Sequence, residues 1–95
     1  MNIGNALKEA RKNKGYNQVE ASIKIGISQT YLSQIEGDKK KASADMIEAI
    51  CKVYNIPVQV IIWKSVDEKL VAPNKRKSFK ELKPLIDNLI NQIFS

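Results

Sequence analysis

The sequence contains no histidine and a single cysteine, Cys51. Without histidine the commonest metal ligand and the commonest general base are both missing, and one cysteine cannot close a disulfide within the chain. Glycine is scarce, with four residues in all, and none of them belongs to a phosphate-cradling loop. No two carboxylates are placed as an acid/base couple would need. An enzyme is therefore the poorest reading, and neither a cofactor nor a metal is expected. The longest apolar run, Val58 to Trp63 interrupted by Gln59, is far too short to span a bilayer, and no signal-peptide pattern opens the chain. These absences predict a reduced, cytoplasmic setting and no membrane partner.

What is present fits one small domain. A chain of 95 residues can bury one modest core but not two. Its hydrophobic share of 43% and charged share of 27% are ordinary for a folded protein and argue against disorder. Sixteen Lys and Arg against ten Asp and Glu give a net charge of +6. That balance favours a polyanionic partner such as nucleic acid, although many soluble domains are mildly basic.

The most informative stretch is NQVEASIKIGISQTYLSQIE, from Asn17 to Glu36. Asn17 suits an N-cap, because its side-chain oxygen can accept from the free N–H groups of the next turn. Gly26 supplies the left-handed conformation that closes a helix, and Ile27 follows as a buried turn residue. Ser28 then caps a second helix, on which Leu32 and Ile35, with Tyr31 beside them, mark the buried side. The other side carries Gln29, Thr30, Ser33 and Gln34. Ser22, four residues before Gly26, is small where two helices joined by a tight turn must approach closely.

With IGNALKEARKNKG before this stretch, and YLSQIEGDKKKAS and MIEAICKVYNIPV at and after its end, the chain resembles the lambda-repressor-like, or XRE/Cro-repressor, helix-turn-helix family over about residues 3 to 64. The resemblance implies an all-α fold: a five-helix DNA-binding domain in residues 1–64, here with an additional C-terminal helix. It also implies that Arg11 pairs with Glu36 at the end of the recognition helix, a structural role to which a phosphate contact by Arg11 could be added. Gln18 matches a family position that binds a phosphate and braces the first recognition residue.

In chain order, residues 3 to 14 form an amphipathic helix with Ile3, Leu7 and Ala10 on one face, stopped by Gly15. The loop Gly37-Asp38-Lys39-Lys40-Lys41-Ala42 leaves the recognition helix where a duplex backbone would pass. Its lysines can neutralise phosphates and release counterions, against the plainer reading of a solvated charged loop. The family usually has its glycine one residue later and often a proline where Ala42 stands. Ser43 caps the next helix, whose Ile47, Ile50, Cys51 and Tyr54 face the core, so that Cys51 is a small buried hydrophobe and not a reactive thiol. Asn55 ends it in the left-handed region. Pro57 to Trp63 reads as a fifth helix on the family's pattern, although its β-branched residues leave a strand as the rival.

Residues 65–77, with Pro73, Asn74 and Lys75-Arg76-Lys77, read as a linker, and its basic run could make a second phosphate contact. Residues 78–95 read as a C-terminal amphipathic helix. Ser78 and Glu81 form a capping-box pattern, and Phe79, Leu82, Ile86, Leu89 and Ile93 fall at heptad-like spacing, widened by Leu85, Ile90 and Phe94. Pro84 would kink such a helix or open a later one. A helix this short must pack on something, either its own domain or a second chain. Val19 and Ile23, apolar where family members carry polar residues, are expected to contact this C-terminal segment or a second subunit.

These readings converge on a duplex reader. A helix fits the major groove, and Gln29 can pair two-pronged with adenine N6 and N7. Thr30 suits a thymine methyl or a phosphate, and Ser33 and Gln34 lie one turn on. The binding set is therefore Gln18, Ser28, Gln29, Thr30, Ser33, Gln34, Lys39, Lys40 and Lys41. The recognition helix has no arginine or lysine, which predicts a site leaning towards A·T or one read partly by shape. One such helix reads few base pairs, and the family commonly binds inverted repeats as dimers. The expected protein is thus a sequence-specific transcriptional regulator, of repressor type, acting as a homodimer on double-stranded DNA. The alternative is a protein-interaction module that keeps the fold without specific DNA binding. No second domain is evident to hold a small-molecule ligand.

Overall fold

The computed structural model describes residues 2–94 and is built from helices. Met1 and Ser95, the outer bounds of the expected domains, lie outside the described residues. The order is α1 (Ile3–Asn13), α2 (Gln18–Ile25), α3 (Gln29–Glu36), α4 (Ala44–Tyr54) and α5 (Val58–Ser65), then two 3-10 turns (Glu68–Leu70 and Pro73–Lys75) and α6 (Arg76–Phe94). There are no strands among the described residues.

Helices α1 to α4 each start where a short polar side chain satisfies a free backbone donor, whereas α5 opens on Pro57 without a side-chain cap. Asn17 accepts from the Glu20 amide at 2.8 Å, while the Glu20 carboxylate accepts from the Asn17 amide at 3.3 Å, which closes a reciprocal capping box at the head of α2. Ser28 and Ser43 accept from the amides of Tyr31 and Met46 at the heads of α3 and α4. Left-handed residues end two of the helices, Gly26 (φ 89°) after α2 and Asn55 (φ 52°) after α4.

Between α3 and α4 the positive φ falls on Asp38, at 58°, and not on Gly37. The glycine that the family places one residue later is thus replaced by an aspartate holding the conformation itself, which Asp tolerates better than most residues.

The core is formed by Leu7 and Ala10 of α1, Leu32 and Ile35 of α3, Ile50 and Tyr54 of α4, and Ile61 of α5. α1 runs through the middle of it and packs on both α3 and α5. One glycine makes that packing possible. A Cβ on Gly4 would collide with the Ile35 carbonyl oxygen and lie 2.9 Å from that of Glu36, so only glycine lets the first turn of α1 press against the end of α3. α5 is a helix despite its β-branched residues, because Ile61 and Ser65, one turn apart, are both buried, and packing on α1 outweighs local propensity.

The C-terminal part differs from expectation in three ways. First, α6 begins at Arg76, so Ser78 lies inside the helix and the Ser78–Glu81 pattern is not its cap. The start is fixed upstream, by the Pro73 turn and by Arg76, whose Nε donates to the carbonyls of Glu68 (2.9 Å) and Val71 (3.2 Å). The Nε–H of Arg76 is thereby engaged, and the segment before α6 is tied down by its own turns. Second, α6 runs unbroken through Pro84. Pro84 is exposed, so water can solvate the backbone carbonyl that loses its partner. Third, the side of α6 turned to the domain is not the heptad set as a whole. It consists of Phe79, Lys83, Asp87, Ile90, Asn91 and Phe94, all half-buried.

Polar contacts fix this docking. The Trp63 indole N–H donates to Asp87 at 2.9 Å, Lys64 donates to Asn91 at 2.5 Å, and the Trp63 ring meets Phe79 edge-on. Ile90 and Phe94 complete the contact against the core.

Val19 and Ile23 do not meet α6. They are 48% and 74% exposed on α2, which overturns the expectation that the C-terminal segment covers them. The reason is geometric: α6 is anchored on α5 and, through Asn13, on the end of α1. No single helix among the described residues is long and apolar enough to cross a bilayer.

Candidate nucleic-acid interface

The candidate residues are held by a buried polar knot. Arg11 is 6% exposed and grips Glu36 with two parallel bonds, Nε to Oε2 at 2.7 Å and Nη2 to Oε1 at 3.0 Å. Its Nη1 donates to the Tyr16 carbonyl at 2.8 Å. The carboxylate raises the Arg11 pKa through these hydrogen bonds, against the opposing effect of burial. These bonds engage all three nitrogens of a side chain that is almost wholly buried, which is the structural role expected of Arg11. The pair ties the end of α1 to the end of α3, and the carbonyl of Tyr16 ties in the loop before α2.

Gln18 joins the same knot: its amide N–H donates to Glu36 Oε1 at 3.1 Å. An amide nitrogen carries two donors, so one remains for a ligand. Glu36 thus orients a residue on the outer surface from inside the core. Sequence reasoning reached the Arg11–Glu36 pair through the resemblance but missed this Gln18 link. Nothing in the local pattern signals a contact between residues 18 positions apart.

Outside the knot, Gln18, Gln29, Thr30, Ser33, Gln34 and Lys39 line one shallow cleft of about 600 Å³, with Gly37 at its edge. Gln29, Thr30, Ser33 and Lys39 are exposed, and Gln34 is half-buried. Ser28 is exposed too, but its oxygen is spent as the α3 cap, leaving the hydroxyl hydrogen to donate outward. The three loop lysines separate. Lys39 stands at the cleft, Lys40 lies 5.9 Å over the Tyr31 ring, and Lys40 and Lys41 border a smaller hollow with Ile3, Ile35 and Asp38.

The cleft offers amide and hydroxyl groups that both donate and accept, along a helix with no charge before Glu36, beside a lysine. That is a surface for reading neutral polar edges next to a negative charge. A larger hollow, about 730 Å³, lies between the end of α4, the start of α5 and the end of α6. Ile56, Val58, Ile93 and Phe94 line it together with Glu48, Lys52 and Asn55, so it mixes apolar and charged groups and lacks the run of amides and hydroxyls along one helix that the α3 cleft has.

No group of three His, Cys, Asp or Glu able to hold a metal occurs among the described residues. Cys51 is buried, and desolvation pushes its thiol up to about 11, so it is not a nucleophile at neutral pH. Tyr54 is buried beside it with its pKa likewise raised by desolvation.

Residues 7–61 match the Helix-turn-helix family model. The chain belongs to the lambda-repressor-like helix-turn-helix family. It is 34% identical over 64 residues to the HTH-type transcriptional regulator ImmR of Bacillus subtilis, a match covering 67% of this chain and 50% of the relative. It is 33% identical over 60 residues to the transcriptional regulator ClgR of Mycobacterium tuberculosis, covering 63% of this chain and 54% of that one. The immunity repressor protein of Bacillus phage phi105 is 28% identical over 94 residues, 86% of this chain and 65% of the repressor. The chain therefore spans about half to two thirds of the length of these relatives, and the similarity to the phage repressor continues beyond the family domain.

Proposed function

We propose that this protein is a sequence-specific transcriptional regulator of repressor type, which lays α3 in the major groove of double-stranded DNA. The observation that carries this reading is the single cleft formed by Gln18, Gln29, Thr30, Ser33, Gln34 and Lys39, held from beneath by the Arg11–Glu36 pair. Gln29, in the first turn of α3, supplies the two-pronged amide for an adenine edge. Thr30, Ser33 and Gln34 follow along the helix, and Ser28 stands at its head. Gln18 and Lys39 anchor flanking phosphates, with Lys40 and Lys41 adding charge beside the groove. Relatives named as transcriptional regulators and as an immunity repressor support the same reading. One short helix covers few base pairs, so the protein acts as a homodimer on an inverted repeat with half-sites about 34–36 Å apart.

The test is duplex affinity as a function of salt for three forms of the protein. Lys39→Ala weakens binding to all duplexes alike and lowers the steepness of the logarithmic salt dependence by about 0.9, the loss of one phosphate contact. Gln29→Ala leaves the salt dependence unchanged and flattens the preference at one base position, a loss of about 1–3 kcal/mol of discrimination. Identical behaviour of the two variants contradicts the division between phosphate anchoring and base reading. Absence of duplex binding at low salt replaces the reading with that of a protein-interaction module.

A further inference from the structure

Docking of α6 leaves its most apolar stripe facing outward. Leu82, Leu85, Ile86, Leu89 and Ile93 are 53%, 63%, 39%, 59% and 71% exposed, although the helix is held firmly through its other side. We propose that this stripe is a self-association seam, covered in solution by α6 of a second copy of this chain. The proposal deepens the dimer reading given above by naming the surface that makes the dimer.

Three observations select a second copy as the occupant. The first is the register. Leu82, Ile86, Leu89 and Ile93 follow one another by four, three and four residues, with leucine at one set of seam positions and isoleucine at the other. That alternation favours pairing of two helices over larger bundles. The docked residues Lys83, Asp87 and Ile90 fall between them on the opposite edge, so the domain and the seam use separate sides of one helix.

The second is charge. From Pro84 to Phe94 the one charged residue is Asp87, and it is turned inward, accepting from Trp63 at 2.9 Å and from Lys83 at 2.8 Å. The exposed flank of the same stretch carries Asn88 and Gln92. A chain of net charge +6 meeting its own copy must bring matching residues together, and any charge on the seam would face itself. An uncharged seam meets that requirement and gives nothing for an acidic partner or a phosphate backbone to recognise.

The third is area. From their exposures the five residues present about 500 Å², so two copies can bury up to about 1,000 Å², at the lower bound of a specific interface. The other exposed large apolar residues among those described, the Val19–Ile23 pair on α2, Ile62 on α5 and Leu70 in the first 3-10 turn, lie on three separate elements and form no stripe of that length.

Sedimentation equilibrium of the chain without DNA tests this. Wild type is expected to be a dimer at micromolar concentration, and Leu89→Glu to raise the dimer dissociation constant by at least about 100-fold. Leu82→Glu should act in the same direction. Ile62→Glu, at a comparably exposed apolar site on α5, should leave the dimer intact. Fluorescence of Trp63, which packs on Phe79, reports that α6 stays docked in every variant. A wild-type chain that stays monomeric to about 100 µM overturns the proposal, as does a dimer that survives Leu89→Glu or is lost with Ile62→Glu. The DNA reading fails separately: a dimer that selects no duplex sequence refutes that reading alone, and specific binding by a monomer refutes the seam alone.

Discussion

Replacing Arg11 by methionine should unfold much of this domain's stability margin, although no residue of the outer surface is changed. The substitution keeps a long apolar stem but removes the bonds to Glu36 at 2.7 and 3.0 Å and the bond to the Tyr16 carbonyl at 2.8 Å. Glu36, 6% exposed, is left as a buried carboxylate whose remaining side-chain partner is the Gln18 amide. Breaking one side of such a buried pair costs about 3–5 kcal/mol. Against a total of about 5–15 kcal/mol for a small domain, that is a large fraction.

Removing both charges is different. Arg11→Met with Glu36→Leu exchanges the desolvated pair for packed apolar groups and should recover to within about 1–2 kcal/mol of wild type. Urea unfolding followed by circular dichroism on the wild type, both single variants and the double variant gives the coupling directly. A cost below about 1 kcal/mol for Arg11→Met, or a double variant as unstable as the two single losses added together, refutes the picture of a buried pair that is costly to break and cheap to replace.

Two further perturbations probe the packing. Gly4→Ala gains about 1 kcal/mol of helix propensity but drives a Cβ into the Ile35 carbonyl, and overpacking of about 1–3 kcal/mol should dominate. A rise in melting temperature in that variant would contradict the close approach of α1 and α3. In alkali, stability should fall as pH rises from 9.0 to about 11, because the Cys51 thiol ionises in the unfolded chain at the lower value and in the folded one at the higher. Below that window the contribution is fully present. A Cys51→Val variant should lose about 2 kcal/mol of the alkaline sensitivity, with the raised Tyr54 pKa supplying a part in the same direction. Identical pH profiles for the two proteins would remove Cys51 from the account.

The amino-terminal part of this fold was legible because its boundaries are local. Asn17, Gly26, Ser28, Ser43 and Asn55 each act within one turn of chain, so residue type at a position is enough. The placement of α6 was not legible for the opposite reason. Ser78 and Glu81 carry a local start signal, but the helix is begun earlier by Pro73 and by Arg76 bonding to carbonyls five and eight residues back. Which side of α6 docks is decided by Trp63 with Asp87 and Lys64 with Asn91, pairs separated by 24 and 27 residues. A hydrophobic period alone therefore assigned Phe79 to the same stripe as Leu82 and Ile86, whereas Phe79 turns inward to Trp63 and the others do not.

The candidate interface shows the same division. Gln29, Thr30, Ser33 and Gln34 follow from helical spacing, whereas the three neighbouring loop lysines take different directions. The positive φ of Asp38 lies at the bend between α3 and those lysines.

The most direct test of the central claim is selection of bound duplexes from a random pool at moderate salt, followed by sequencing of what is retained. The account predicts an enriched inverted repeat, rich in A·T where α3 reads it, with half-site centres about 10 base pairs apart. A pool that stays random after repeated rounds would contradict it.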